Sequence, residues 1–252
     1  MGPDYALRNR IAKDTHLDFL PGTLGRHENS QTEPVSNETF LLRESNFLVL
    51  KSTMEPLKLY SFRRCPFAMR VRLVLNEKGL PFDVVEEDLK NFSPELRALH
   101  PEAKVPVLVH GTRVVYESSV ITEYLEDCFA SVPLMPKDAG ERAEIRLWTY
   151  WCNTVFKPDV DRFKYGTSRF SAEECEGVSE RVQQHLGKLE KVLGQKHFLV
   201  GDYSLADIHV FPFVRQLARI EPTPVFLSLF PATLDWIKRI SDRPAFMKTL
   251  ER

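Results

Sequence analysis

Hydrophobic and polar positions change character along the 252-residue chain. Leu57-Lys58-Leu59-Tyr60-Ser61-Phe62 alternates with the period of a half-buried strand. After Arg63-Arg64-Cys65, Pro66 suits the first turn of a helix. Phe67, Val71, Val74 and Leu75 then recur at helical spacing as far as Gly79, a natural stop. Phe82-Asp83-Val84-Val85-Glu86 is a second strand, which completes a βαβ unit. A short helix is expected from Ser93-Pro94-Glu95 to His100-Pro101. Val105–Val109 and Arg113–Tyr116 follow as strands around a tight His110-Gly111-Thr112 turn, and Ser118 or Ser119 opens a helix through about Cys128.

Beyond Val132-Pro133-Leu134-Met135-Pro136 the strand period disappears. Helices are expected over 139–163, 171–194, 204–220 and 231–241, with a short one after Pro244 and a kink or end of the first at Pro158. The predicted fold is an α/β thioredoxin-like N-terminal domain over 56–131, by its β-α-β-α-β-β-α order, plus an all-α C-terminal domain over 138–252. Residues 1–55 contrast with both. Their polar stretch Pro21–Pro34, with apolar patches too short to make a core, predicts a mostly disordered extension.

Composition adds exclusions. A formal net charge of −1 gives no basic surplus for nucleic acid, and no apolar run approaches the ~18 residues of a membrane span. The start Met1-Gly2-Pro3-Asp4-Tyr5-Ala6 lacks the basic-then-apolar order of a signal peptide, so a cytoplasmic protein is expected. The four cysteines, Cys65, Cys128, Cys152 and Cys175, form no metal-binding spacing and are too sparse for a disulfide scaffold. Free thiols in a reducing compartment are the expectation, with no metal.

Cys65 stands apart because it sits where a strand hands over to a helix. N–H groups and the dipole of a helix start favour a thiolate, and Arg63 and Arg64 add positive charge in sequence. Its pKa is therefore expected below the roughly 8.5 of a free thiol. Residue pattern alone leaves a buried, inert cysteine equally open. No second cysteine stands three residues on, where a resolving thiol would lie.

The run Arg64-Cys65-Pro66-Phe67-Ala68-Met69-Arg70-Val71-Arg72-Leu73-Val74-Leu75 resembles the glutathione transferase superfamily, and its cysteine-type, omega-like classes in particular. Asp88-Leu89-Lys90-Asn91, Lys104-Val105-Pro106-Val107-Leu108, Tyr116–Ile121 and Gly201-Asp202-Tyr203-Ser204-Leu205-Ala206-Asp207-Ile208 continue it in order, over about 195 of the 252 residues. The stretch Leu96–Ala103 and the N-terminal extension depart from the omega pattern.

The resemblance implies glutathione as co-substrate and Cys65 as the residue that forms a mixed disulfide with it. It implies a cis-proline turn in which the Val105 backbone pairs with the tripeptide. Glu117 and Ser118 then hold the γ-glutamyl end, Lys90 the glycyl carboxylate, and Phe67 packs alongside. The implied activity is thiol transfer or reduction of a small disulfide or electrophilic acceptor, as in detoxification, by a homodimer. Conjugation through a hydroxyl of Tyr60 or Ser61 is the enzymatic alternative. A non-catalytic regulator resembling the stringent-starvation proteins that bind RNA polymerase is the other. An aromatic group on one long helical stretch, Trp148, Tyr150, Trp151, Phe156 and Phe163, suits the wall of an acceptor pocket, although for any single one of them a place in the core is the stronger expectation. Ser204 and Asp207, at N-cap and N3 spacing, are read as a purely structural capping box.

Overall fold

The alternation that begins at Leu57 does form a strand, and it sorts side chains onto the two faces of a sheet. A computed structural model describes residues 55–251, so the expected extension over 1–55 lies outside the described residues except for its last position. The strands are β1 (Leu57–Ser61), β2 (Asp83–Glu86), β3 (Val107–His110) and β4 (Arg113–Tyr116), in the order β2-β1-β3-β4. β1 and β2 are parallel, with Leu59 opposite Val84. β1–β3 and β3–β4 are antiparallel, with Leu59 opposite Leu108 and Leu108 opposite Val115. Leu57 and Leu59 join the main core, whereas Tyr60 packs with Leu96 and Val107 on the other face.

Helix α1 (Pro66–Glu77) crosses from β1 to β2. Pro66 supplies a preset φ at a position whose N–H would lack a partner anyway, and Gly79 ends the segment at φ +64. Every residue from Ala68 to Leu75 is buried, including Arg70 and Arg72. α2 (Pro94–Leu99) is capped by Ser93, whose hydroxyl accepts from the Leu96 N–H. The strand expected over Val105–Val109 starts only at Val107, because Pro106 has no N–H for the ladder; the Val105–Pro106 bond is cis. α3 (Ser118–Cys128) packs back against α1.

The rest is helical: α4 (Ala139–Trp151), α5 (Lys157–Tyr165), α6 (Ala172–Cys175), α7 (Val178–Leu193), α8 (Leu205–Leu217), α9 (Thr223–Leu227), α10 (Pro231–Ser241) and α11 (Pro244–Leu250). The expected kink at Pro158 takes the form of a widened turn over Cys152–Phe156, in which the Lys157 N–H reaches back five residues to the Cys152 carbonyl. Pro158 cannot donate to the Thr154 carbonyl and its ring would collide with it, so the helix opens just before the proline. The segment expected over 171–194 is broken by Gly177 at φ +63. α9, with five residues, is too short to show a period. No helix among the described residues is long and apolar enough to cross a membrane.

The connection between the sheet and the helical half is tied at one buried ion pair. Lys78 Nζ donates to the carbonyls of Phe129, Ser131 and Val132 at 2.8, 3.2 and 3.2 Å, and pairs with Glu126 at 2.8 Å. Glu126 in turn accepts from the N–H groups of Leu134 and Met135. Removing either partner leaves the other charge buried and alone, which costs about 3–5 kcal/mol in comparable cases.

Candidate active site

Cys65 is the last residue of a turn and the first carbonyl of a helix. Its N–H donates to the Phe62 carbonyl (2.9 Å), and its own carbonyl accepts from the Met69 N–H (3.0 Å). Its backbone is extended (φ −76°, ψ 120°), which aims the side chain across the start of α1 toward the Val105 carbonyl, 4.0 Å from Sγ. The sulfur makes no capping hydrogen bond, and the first turn carries no acidic residue. Positive potential at this helix end is therefore not consumed by the protein's own groups.

The acidity of the thiol corrects the sequence expectation. Burial pushes Cys65 above its ordinary value and outweighs everything that favours the thiolate: the N–H groups of Ala68 and Phe67, then the charges of Arg72 and Lys157. Arg63 and Arg64, the expected cations, are engaged elsewhere. The Arg63 guanidinium donates to the Leu250 carbonyl at 2.6 Å and its backbone N–H to Glu86 at 2.7 Å. Arg64 lies over the Phe62 ring. All four cysteines are free; Cys152 is wholly buried and its thiol is pushed up to about 11 by burial.

The other expected site residues fall into three groups. Val105 meets Cys65 directly, and Phe67 lies two residues along α1, its ring edge-on to Phe213 at 4.9 Å between centroids. Ser118, the buried first residue of α3, accepts from Arg70 Nη1 at 3.2 Å, so its own proton is left to donate outward. Glu117 precedes it as the exposed N-cap, at φ +66°. Lys90 is exposed in the β2–α2 connection, where its N–H donates to Asp88 Oδ1 at 3.0 Å. Among the described residues its ammonium holds no ion pair.

Both hydroxyls of the alternative are turned away. Tyr60 is on the opposite face of the sheet, and Ser61 is fully buried, accepting from Arg72 Nη1 at 2.6 Å. The aromatic wall is also a correction. Trp151 stacks on Phe156 at 5.1 Å and meets Trp148 and His185 edge-on, all within the helical core, while Tyr150 points out and Phe163 packs on Phe226. The rings beside α1 are instead Phe67 and Phe213, each 5.9 Å from Lys157 Nζ.

Three cations were not singled out from sequence. Arg70 is wholly buried and donates to the His209 carbonyl, Ser118, Asn153 and Cys152, which ties α1 to α3 and to the widened turn. Arg72 braces the β1–α1 connection, and Lys157 enters from α5. The signal for the two arginines was present. Apolar residues run from Ala68 to Leu75 with only Arg70 and Arg72 between them, and a helix buried over that whole stretch has to bury the two arginines as well.

Comparison with known proteins adds the following. Residues 64–128 match a family model described as the glutathione S-transferase N-terminal domain, and residues 131–244 match the glutathione S-transferase C-terminal domain. The chain is 42% identical over 196 residues to glutathione S-transferase U1 of Arabidopsis thaliana, covering 75% of this chain and 85% of that one. It is 31% identical over 169 residues to glutathione S-transferase omega-1 of Sus scrofa, covering 66% and 68%. Among solved structures, the beta-etherase LigF from Sphingobium sp. strain SYK-6 superposes with a TM-score of 0.70 at 30% identity, covering 77% of this chain and 98% of that one.

Proposed function

The chain belongs to the glutathione S-transferase family, and within it we propose a glutathione-dependent thiol transferase that works through a mixed disulfide at Cys65. The observation that carries this reading is the placement of Cys65: a thiol at an uncapped helix start, facing the Val105 carbonyl, while the hydroxyls of Tyr60 and Ser61 are withdrawn. Glutathione is the co-substrate. Its cysteinyl backbone pairs with Val105 as a short added strand. Its γ-glutamyl carboxylate meets the Ser118 hydroxyl and the N–H groups that open α3, its amine meets Glu117, and Lys90 reaches the glycyl carboxylate. Phe67 packs along one side.

The Cys65 thiolate attacks the glutathionyl sulfur of a mixed disulfide, and the acceptor's sulfur leaves as a thiolate. A second glutathione thiolate then attacks the glutathionyl sulfur on Cys65, releasing glutathione disulfide and regenerating the Cys65 thiolate. The buried thiol is mostly protonated in the resting protein, so the rate climbs with pH. We place the reaction in the cytoplasm, where its thiols stay reduced, and in a homodimer.

The raised pKa of Cys65 favours one second reading. In conjugation, the thiolate of bound glutathione attacks an electrophile, and Cys65 only donates a hydrogen bond to it. Mass spectrometry after incubation with oxidised glutathione separates the two. A glutathionyl adduct on Cys65 is expected, and its absence together with conjugating activity in Cys65→Ser would sink thiol transfer.

A further inference from the structure

Arg72 lies two turns into α1, almost wholly buried, and reaches back to the chain that delivers Cys65. Nη2 donates to the Arg63 carbonyl at 2.6 Å; Nη1 donates to Ser61 Oγ at 2.6 Å and to the Phe62 carbonyl at 3.4 Å. The Phe62 carbonyl is the same acceptor that takes the Cys65 N–H, so the guanidinium and the nucleophile hang from one oxygen. Nε is buried with no acceptor. Among the described residues no carboxylate pairs with Arg72. A guanidinium buried without an ion pair loses its hydration and regains only these contacts, which is a costly way to fill space.

We propose that Arg72 is a positioning residue for Cys65: its fork fixes Ser61, Phe62 and Arg63 so that the thiol meets the open end of α1, and it brings a buried positive charge to the sulfur. The proposal refines the Cys65 reading and rests on it for its place in turnover. The fork matters because the planar guanidinium holds Ser61 and Phe62 on one nitrogen and Arg63 on the other at a fixed spacing, which the point charge of an ammonium does not impose. The charge matters because Arg72 is the leading cation acting on the thiol. The other groups that face Cys65 do different work. Arg70 on α1 is spent on α3 and the widened turn, and Lys157 on α5 is paired with Asp161. Arg63 is held by Glu86 and Leu250, and Arg64 lies over Phe62. Glu86 on β2 also acts on Arg72, at longer range.

The test is site-resolved alkylation of the full chain with iodoacetamide against pH, read by peptide mass spectrometry, with exposed Cys128 as the internal reference. It is run on the native protein and on Arg72→Gln, Arg72→Met and Arg72→Lys, each checked for a cooperative melt. In the two neutral variants the Cys65 midpoint is expected to rise by about one pH unit, so alkylation at neutral pH slows about tenfold while Cys128 is unmoved. Arg72→Lys is expected to restore most of the midpoint but not turnover, because the loop loses its fork. An unchanged Cys65 midpoint in a folded neutral variant overturns the proposal. If the neutral variants do not fold, Arg72→Lys decides, and wild-type midpoint and turnover together would show the fork to be dispensable. Alkylation needs no glutathione. Shifted midpoints in a protein that forms no glutathionyl adduct would therefore refute thiol transfer and leave the role of Arg72 standing.

Discussion

The starts of α1 and α8 are built alike and end in opposite conditions. Each begins with an extended residue carrying a side chain that can act on the first turn: Cys65 at φ −76°, Ser204 at φ −146°. At α8 the device is closed. Ser204 Oγ accepts from the Ala206 N–H, and Asp207 accepts from the N–H groups of Ser204 and Leu199 and from Trp236 Nε1 at 2.8 Å. At α1 no side chain closes the turn. The helix end that is satisfied by its own residues organises the fold, and the one left unsatisfied is free to act on a substrate. The difference lies in oxygen against sulfur at the cap and in the presence or absence of an acid three residues on.

That contrast can be broken at four points. The largest effect is expected from Cys65→Ser, which should abolish thiol-transfer turnover yet leave glutathione binding measurable by calorimetry and shift the melting temperature little. Substantial turnover in that variant would remove the difference between the two ends. Asp207→Ala should do the reverse. It strands the Leu199 and Trp236 donors in the core and should cost roughly 3 kcal/mol, or about 6–12 °C in Tm, by calorimetric melting.

The third point is pH. Burial pushes Asp207 up to about 6 against all its donors, above its unfolded value. Its contribution to stability is fully present below the unfolded pKa of about 4 and is lost as pH rises through about 6. His209 is wholly buried and held neutral, well below its ordinary value, by desolvation and by Arg70. Its contribution runs the other way and is lost as pH falls below the unfolded value of about 6.5. The two slopes oppose between pH 4 and 6. Asp207→Asn removes one of them, so urea melts of that variant should fall steeply on acidification where the native protein is comparatively flat. Equal slopes in both would contradict the assignment.

The smallest effect is expected from Ser204→Ala, at about 1 kcal/mol by denaturant titration, because Asp207 still holds the rest of the cap. A cost as large as that of Asp207→Ala would place the weight of the motif on the hydroxyl.

Much of this contrast was legible before any coordinates. The Ser204–Asp207 spacing announced its closed cap, and the strand-to-helix passage at Cys65 announced a thiol at a helix start. Both are local patterns, and local patterns are written in consecutive residues. The sign of the Cys65 shift was not legible, because it depends on how much water burial removes, and that depends on residues brought from other parts of the chain, Val105 among them. Arg63 and Arg64 looked decisive because they are adjacent in sequence. Arg72, seven residues away, faces the site because a helix returns it to the same side. The aromatic cluster was not legible for a related reason: the turn over Cys152–Phe156 is widened by one residue, and Lys157 just after it stands beside Phe67 while Trp151 and Phe156 stack in the core.

The Lys78–Glu126 pair has a consequence for how the chain can be cut. The segment from Phe129 to Pro136 carries prolines at 133 and 136 and reads like a linker, the kind of sequence where a protease nicks and domains part. Its backbone is instead held from inside by one ammonium, at Phe129, Ser131 and Val132, and by one carboxylate, at Leu134 and Met135. A protease needs slack chain to seat a bond, and this stretch has its slack taken up. The sheet and the helical half should therefore survive digestion as a single fragment, and genes split at this apparent seam should yield two pieces that fold poorly apart.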